Sequence, residues 1–141
     1  MKKNVLIVGG ELFNKGAQSM TFVAVDEIKK RFPNTNTILL SSSDFERSEE
    51  EKSQYNFDIL PINLSMIFDI LGGGYKIISK LKRTNNKYLE MKHKINKLLE
   101  NTEAIIDISG FALSSQFGTI RSISYISRIM LAKKFGIKMY L

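Results

Sequence analysis

The apolar positions of this chain fall into two rhythms. Asn4-Val5-Leu6-Ile7-Val8 is a continuous aliphatic run, the pattern of a central parallel strand buried on both faces, and Gly9-Gly10 ends it. From Ala17 to Phe32 the spacing becomes helical, with Met20, Val23, Ala24, Ile28 and Phe32 on one side. Lys29, Lys30 and Arg31 fall in the last turn, where cations suit the helix dipole, and Pro33-Asn34 stops the helix. Thr37-Ile38-Leu39-Leu40 predicts a second buried strand, followed by Ser41-Ser42-Ser43-Asp44. Strand, glycine turn, helix and strand in succession predict a βαβ unit with a parallel sheet and a right-handed crossover.

The pattern continues along the chain. Residues 44–54 are acidic and read as an exposed loop or short helix; Phe57-Asp58-Ile59-Leu60-Pro61 reads as a short strand. Residues 64–83 mix apolar positions with Gly72-Gly73-Gly74 and several lysines, and fit neither rhythm. Tyr88, Met91, Ile95 and Leu98 form an amphipathic helical stripe running to about Asn101. Ala104-Ile105-Ile106-Asp107-Ile108 predicts another buried strand, closed by Ser109-Gly110. Ile120, Ile123, Ile126 and Met130 mark the next helix, which Gly136 caps, and Ile137 to Leu141 opens a further strand. The expectation is one α/β domain over residues 1–141, a Rossmann-like parallel sheet flanked by helices. Because the last strand stops short, the chain reads as a fragment of a longer two-domain protein.

Composition narrows the chemistry. With 43% apolar and 25% charged residues in 141, the chain is of globular type rather than disordered. The absence of cysteine excludes a disulfide scaffold, a thiolate metal site and a cysteine nucleophile, and a single histidine excludes a multi-histidine metal site. The net charge of +7 is unevenly spread: residues 1–75 carry net −2, residues 76–101 net +6 and residues 102–141 net +3. No signal peptide is visible, and no apolar run approaches the roughly 20 residues of a membrane span, so a cytoplasmic protein is expected.

In an open parallel sheet, ligands bind beyond the carboxyl ends of the strands where strand order reverses. Two loops qualify: Gly9 through Gly16, and Asp107-Ile108-Ser109-Gly110 through Ser114, Gln116 and Gly118. Each leads into a helix N-terminus, whose amides favour an anion. The first loop fails the dinucleotide pattern, because Glu11 stands where a second glycine is needed, and fails the P-loop order around Lys15. A plain tight turn that needs glycine, and ordinary capping by Asp107 and the serines, are the competing readings.

Asn14-Lys15-Gly16-Ala17-Gln18-Ser19-Met20, with a helix ending Lys29-Lys30-Arg31-Phe32-Pro33, resembles the N-terminal motif of polysaccharide pyruvyl transferases. Ile106-Asp107-Ile108-Ser109-Gly110-Phe111-Ala112-Leu113 resembles that family's second strand-end motif, and Ala132 to Lys138 fits the helix and strand after it. The resemblance implies the N-terminal half of a two-domain, GT-B-like transferase. Its members move a pyruvyl group from phosphoenolpyruvate, the donor substrate, to a hydroxyl pair on a sugar of a cell-surface polysaccharide or its precursor; no other cofactor is implied. It departs from the family at Ala17-Gln18, where many members carry an acidic residue. The donor-binding arginines and histidine of the family lie in a C-terminal half, so this chain alone is expected to be inactive. The expected substrate contacts are Asn14, Lys15, Gly16, Gln18, Asp107, Ser109 and Gly110; no catalytic residue and no metal ligand is assigned. A nucleotide-sugar glycosyltransferase of the same architecture and a non-catalytic binding module remain as alternatives.

The basic block holds Lys76, Lys80, Lys82, Arg83, Lys87, Lys92, Lys94 and Lys97. It reads as a solvated helix face or as a peripheral contact with anionic lipid at the inner face of the plasma membrane, with Ile77, Ile78 and Leu81 as a shallow anchor. Such a contact would suit a lipid-linked sugar acceptor. Aromatic residues are sparse in the block, so nucleic acid is not expected as a partner. His93, between Lys92 and Lys94, reads as an exposed, solvated side chain.

Overall fold

A computed structural model describes residues 3–72, 86–110 and 118–141. The order of elements is β1 (Asn4–Val8), α1 (Lys15–Arg31), β2 (Asn36–Leu40), α2 (Ser42–Phe45), α3 (Glu49–Ser53), β3 (Asp58–Leu60), α4 (Leu64–Leu71), α5 (Asn86–Glu100), β4 (Thr102–Asp107), α6 (Gly118–Phe135) and β5 (Lys138–Tyr140). The strands form one parallel sheet in the order β3-β2-β1-β4-β5. The aliphatic run at residues 4–8 takes the centre, where every residue is buried. This is the α/β, Rossmann-like arrangement that the strand and helix rhythms predict.

The two-residue period of β1 divides the core between the sheet's faces. Leu6 and Val8 join Ile38, Leu40, Leu60 and Ile105 on one face, covered by Met66, Ile67 and Ile70 of α4, Ile95, Leu98 and Leu99 of α5, and Leu131 and Ala132 of α6. Val5 and Ile7 join Leu39, Ile59 and Ala104 on the other, covered by Val25 and Ile28 of α1 together with Leu12 and Phe57. Each such aliphatic side chain, fully buried, contributes about 1.5–3 kcal/mol. The Tyr88–Leu98 stripe of α5 turns inward as its spacing predicts. Tyr88 also donates to Asp69 Oδ2 at 2.6 Å, which fastens α5 to α4. The first part of the basic block, including Lys76, Lys80, Lys82, Arg83 and the apolar Ile77, Ile78 and Leu81, lies outside the described residues. His93 is exposed.

Three expectations are corrected. Helix α1 turns Ala24, Ile28 and Phe32 inward as expected, but Thr21 and Val25 complete that face, while Met20 and Val23 are exposed. Thr21 is accommodated because its hydroxyl donates to Ala17 O at 2.8 Å, so the helix buries no unpaired polar atom there. Helix α6 departs from its expected face: Ser127, Leu131 and Ala132 are buried, and Ile120, Ile123, Ile126 and Met130 are exposed. Ser127 likewise donates to a helix carbonyl, Ser124 O, at 2.8 Å. The acidic stretch after β2 does form short helices, but Asp44 within it is completely buried.

Candidate functional site at the carboxyl ends of β1 and β4

Strand order reverses between β1 and β4, and a cleft of about 650 Å³ opens there. That size is within the range of small-molecule sites. Its walls include Gly9, Gly10, Glu11 and Asn14 from the β1–α1 loop, Gly16 from the first turn of α1, and Ile108 and Ser109 after β4. Ser41 and Asn63, from the starts of α2 and α4, and Ser124 and Arg128, from α6, complete the polar lining. The two loops singled out in the sequence therefore meet in one place.

They meet through backbone. Ile108 N donates to Val8 O at 2.9 Å, extending the β1–β4 ladder to the loop. Gly9 has φ +75°, and a Cβ on it would lie 2.5 Å from Ser109 Cβ and 2.7 Å from Ser109 N. A Cβ on Gly10 would lie 2.6 Å from Thr21 Oγ1. Glycine is required here by the left-handed turn and by the contact between loops.

The helix-start amides are largely occupied by the chain's own side chains. Asn14 is the N-cap of α1: its Oδ1 accepts from Gly16 N at 2.9 Å and Ala17 N at 3.3 Å, and its carbonyl accepts from Gln18 N. Asn63 caps α4 in the same way, accepting from Met66 N at 2.9 Å. The Ser109 amide donates to Asp107 Oδ1 at 2.8 Å. The expectation of amides awaiting an anion at the first loop is replaced by a helix capped by Asn14, which itself stands in the cleft wall.

The loop's shape is set from a distance by Asp44. Its carboxylate accepts from Leu12 N at 3.1 Å, Ser41 Oγ at 2.7 Å and Arg47 Nε at 3.0 Å. Arg47 in turn lies over the Phe13 ring, 4.0 Å from its centroid, and its pairing with Asp44 raises its pKa. Asp44 and Arg47 thus hold both Leu12 and Phe13, next to Asn14.

The second buried carboxylate is held less completely. Arg128 Nη1 lies 3.4 Å from Asp107 Oδ2, an ion pair by distance, yet that oxygen receives no hydrogen bond. Arg128 Nε donates to Ser124 O at 3.3 Å. Burial lowers the Arg128 pKa, and the charge on Asp107 works against that lowering. The guanidinium borders the cleft with N–H groups to spare beyond these partners.

Of the residues expected from sequence, Asn14, Gly16 and Ser109 line the cleft. Asp107 is not in its wall but forms an ion pair with Arg128, which is. Lys15, Gln18 and Gly110 are not among the described residues of its wall, and Lys15 is exposed. Ser114 and Gln116, with the Phe111-Ala112-Leu113 part of the second motif, lie outside the described residues. Sequence reasoning did not single out Arg128, Glu11, Asn63 or Asp44. Asn63 could have been found as a cap before the apolar run Leu64–Leu71; Arg128 gave no local signal, since its meaning comes from Asp107, 21 residues earlier.

Chemically, the wall is rich in hydroxyl and amide groups and poor in net positive charge: Arg128 is offset by Asp107, and Glu11 adds a carboxylate. Among the described residues no group of three histidine, aspartate or glutamate side chains could hold a metal ion, and no helix is long and apolar enough to cross a membrane. Comparison of the chain with family models, with curated proteins and with solved structures finds no match in any of the three.

Proposed function

We propose that this chain forms the acceptor-binding half of a polysaccharide pyruvyl transferase, with the sugar seated in the cleft between β1 and β4. One observation carries the reading: the two motif loops that resemble that family's line one cleft, and Asn14, Gly16 and Ser109 stand in its wall. The character of the wall favours the acceptor over the donor. Phosphoenolpyruvate is multiply anionic, whereas Glu11 and the neutralised Asp107–Arg128 pair offer it little attraction. Sugar hydroxyls both donate and accept, and suit Glu11, Asn14, Asn63, Ser109, Ser124 and the free edge of Arg128.

In the transfer, two hydroxyl oxygens of the acceptor bond to the enol carbon of phosphoenolpyruvate and give up their protons; one proton converts the methylene to methyl, and the other departs with the phosphate as the carbon–oxygen bond to it breaks. The residues of this chain would bind and orient the hydroxyl pair; the donor and the proton-transfer groups would come from outside it. A sugar carried on a lipid or a growing glycan fits an open cleft of this kind.

The test is genetic and chemical. In cells expressing the protein in its full context, pyruvate ketals on surface glycans are measured by the methyl resonance in proton spectra. Ser109→Ala removes a hydroxyl while keeping the Cβ that touches Gly9. Asn14→Asp keeps the capping oxygen while removing the amide donor. Each is expected to lower ketal content about three- to tenfold, the worth of one hydrogen bond. Wild-type cells without ketals, or variants that leave them unchanged, would overturn the reading. Turnover of a nucleotide sugar in place of phosphoenolpyruvate would assign the fold to glycosyl transfer instead.

A further inference from the structure

Helix α6 wears its amphipathicity inside out. Its buried side is Ser127, Leu131 and Ala132, flanked by half-buried Ser124 and Arg128. Its outward side carries Ile123, Ile126, Ile129 and Met130, exposed by 40, 52, 41 and 51%, and Ile120 in the first turn is exposed by 74%. Ile123, Ile126 and Met130 are spaced three and four apart and form one stripe. Isolated exposed aliphatics are ordinary, but a run of them along one helix marks a contact surface.

The charge around the stripe says what the contact is. From Ile108 to Leu141 the chain has no acidic residue, and its five charged residues are Arg121, Arg128, Lys133, Lys134 and Lys138. Residues 102–141 carry net +3 of the +7, beside net +6 in residues 76–101, and among them Arg128 is paired with Asp107 and Lys134 donates to Ile70 O. Lys133 is exposed in the last turn of α6. Helix α5 packs, like α6, against α4 in the same layer; it exposes Lys87, Lys94 and Lys97 with Leu89, and two acids, Glu90 and Glu100. A second copy of the chain would bring the same cations against these with no carboxylate on α6 to meet them. A bilayer with anionic headgroups answers both features: apolar side chains enter the boundary between headgroup and acyl chain while cations meet phosphates.

We propose that the outward face of α6 is a docking surface for an anionic lipid bilayer, with Ile123, Ile126 and Met130 as the shallow anchor and Lys133 as a flanking cation. The contact expected from sequence in residues 76–101 is thereby centred on a different helix. Docking would also bring the cleft to the membrane, because Ser124 and Arg128 of the same helix form part of its wall. The inference does not depend on pyruvyl transfer, since vesicle binding is read with no sugar or phosphoenolpyruvate present.

The full chain is sedimented with vesicles of phosphatidylcholine, with and without phosphatidylglycerol, at low and high salt. It is expected to bind the anionic vesicles, and to release them as salt rises. Ile126→Glu and Met130→Glu, both at exposed positions, should leave the melting temperature unchanged and weaken binding about tenfold each; Lys133→Glu should weaken it several-fold. The proposal fails if anionic vesicles are not bound at low salt. It fails if Ile126→Glu and Met130→Glu bind as the wild type does while Lys94→Glu with Lys97→Glu does not, which would return the contact to α5. It also fails if light scattering shows a dimer that Ile126→Glu dissociates and vesicles are not bound, which would make a second copy the occupant.

Discussion

Asp44 and Asp107 look alike on paper and behave differently in the fold. Each follows a buried aliphatic run near the carboxyl end of a strand, and each is paired with an arginine from a later turn or helix. Both carboxylates are almost wholly buried, and the two arginines expose similarly little of their side chains, 13% for Arg47 and 11% for Arg128. Yet Asp44 receives three hydrogen bonds, from Leu12 N, Ser41 Oγ and Arg47 Nε, while Asp107 receives one, at Oδ1, and leaves Oδ2 without any. The arginines register the difference. Hydrogen bonding to Asp44 raises the Arg47 pKa, whereas desolvation by burial lowers that of Arg128. A completed ion pair fixes a loop; an incomplete one beside a cleft keeps bonding capacity for something else.

The largest expected effect lies at the completed pair. Asp44→Ala leaves the Leu12 amide without its acceptor and Arg47 with Glu51 alone, and should cost about 2–4 kcal/mol in urea unfolding. Asp44→Asn keeps an acceptor for Leu12 N but weakens the arginine contact, and should cost about 1–3 kcal/mol. If Asp107→Ala proved as damaging as Asp44→Ala, the distinction between the two sites would collapse.

A double-mutant cycle sharpens the contrast. The coupling between Asp44 and Arg47, read from Asp44→Asn and Arg47→Gln, should be about 2–3 kcal/mol, and that between Asp107 and Arg128, from Asp107→Asn and Arg128→Gln, below about 1 kcal/mol. The two sites should then exchange rank when acceptor binding is measured. Arg128→Gln should weaken it more than Arg47→Gln, because Arg128 borders the cleft directly. Equal couplings would mean that the 3.4 Å separation at Asp107 carries the same energy as a bonded pair.

The same contrast explains what could be read in the sequence. Strand centres were legible because β1, β2 and β4 are buried on both faces and so appear as unbroken aliphatic runs. The meeting of the Gly9 and Ser109 loops followed from the sheet being parallel, which puts both strand ends on one edge. Helix faces were less legible. A stripe of isoleucine in α6 suggests an inward face by spacing, but the true inward face uses Ser127 with its hydroxyl bonded to its own helix, and leaves the isoleucines outside. Asp44 was hidden among exposed glutamates; its burial depends on Leu12 and Arg47, and a partner 32 residues away leaves no local pattern. Contacts made by side chains across the sheet are set by three-dimensional packing, which periodicity does not encode.

The smallest expected effect concerns a carboxylate whose donor is neutral. Tyr88 donates to Asp69 Oδ2 at 2.6 Å, and burial, followed by that hydrogen bond and the charge of Asp69, pushes the phenol up to about 12, with Ser65 acting in the opposite direction. A phenol ordinarily titrates near 10. The folded state therefore holds its proton more tightly than the unfolded state does. The resulting stability is complete below about pH 10 and is lost as pH rises through about 12. Tyr88→Phe cannot titrate, so the stability difference between wild type and Tyr88→Phe, taken from urea midpoints across this window, should shrink as pH rises. Lysines titrate there in both proteins and cancel from the difference. A difference that stays constant would show that Asp69 does not hold the phenol proton, and that a short hydrogen bond to a partly buried carboxylate is not enough to do what Arg47 does for Asp44.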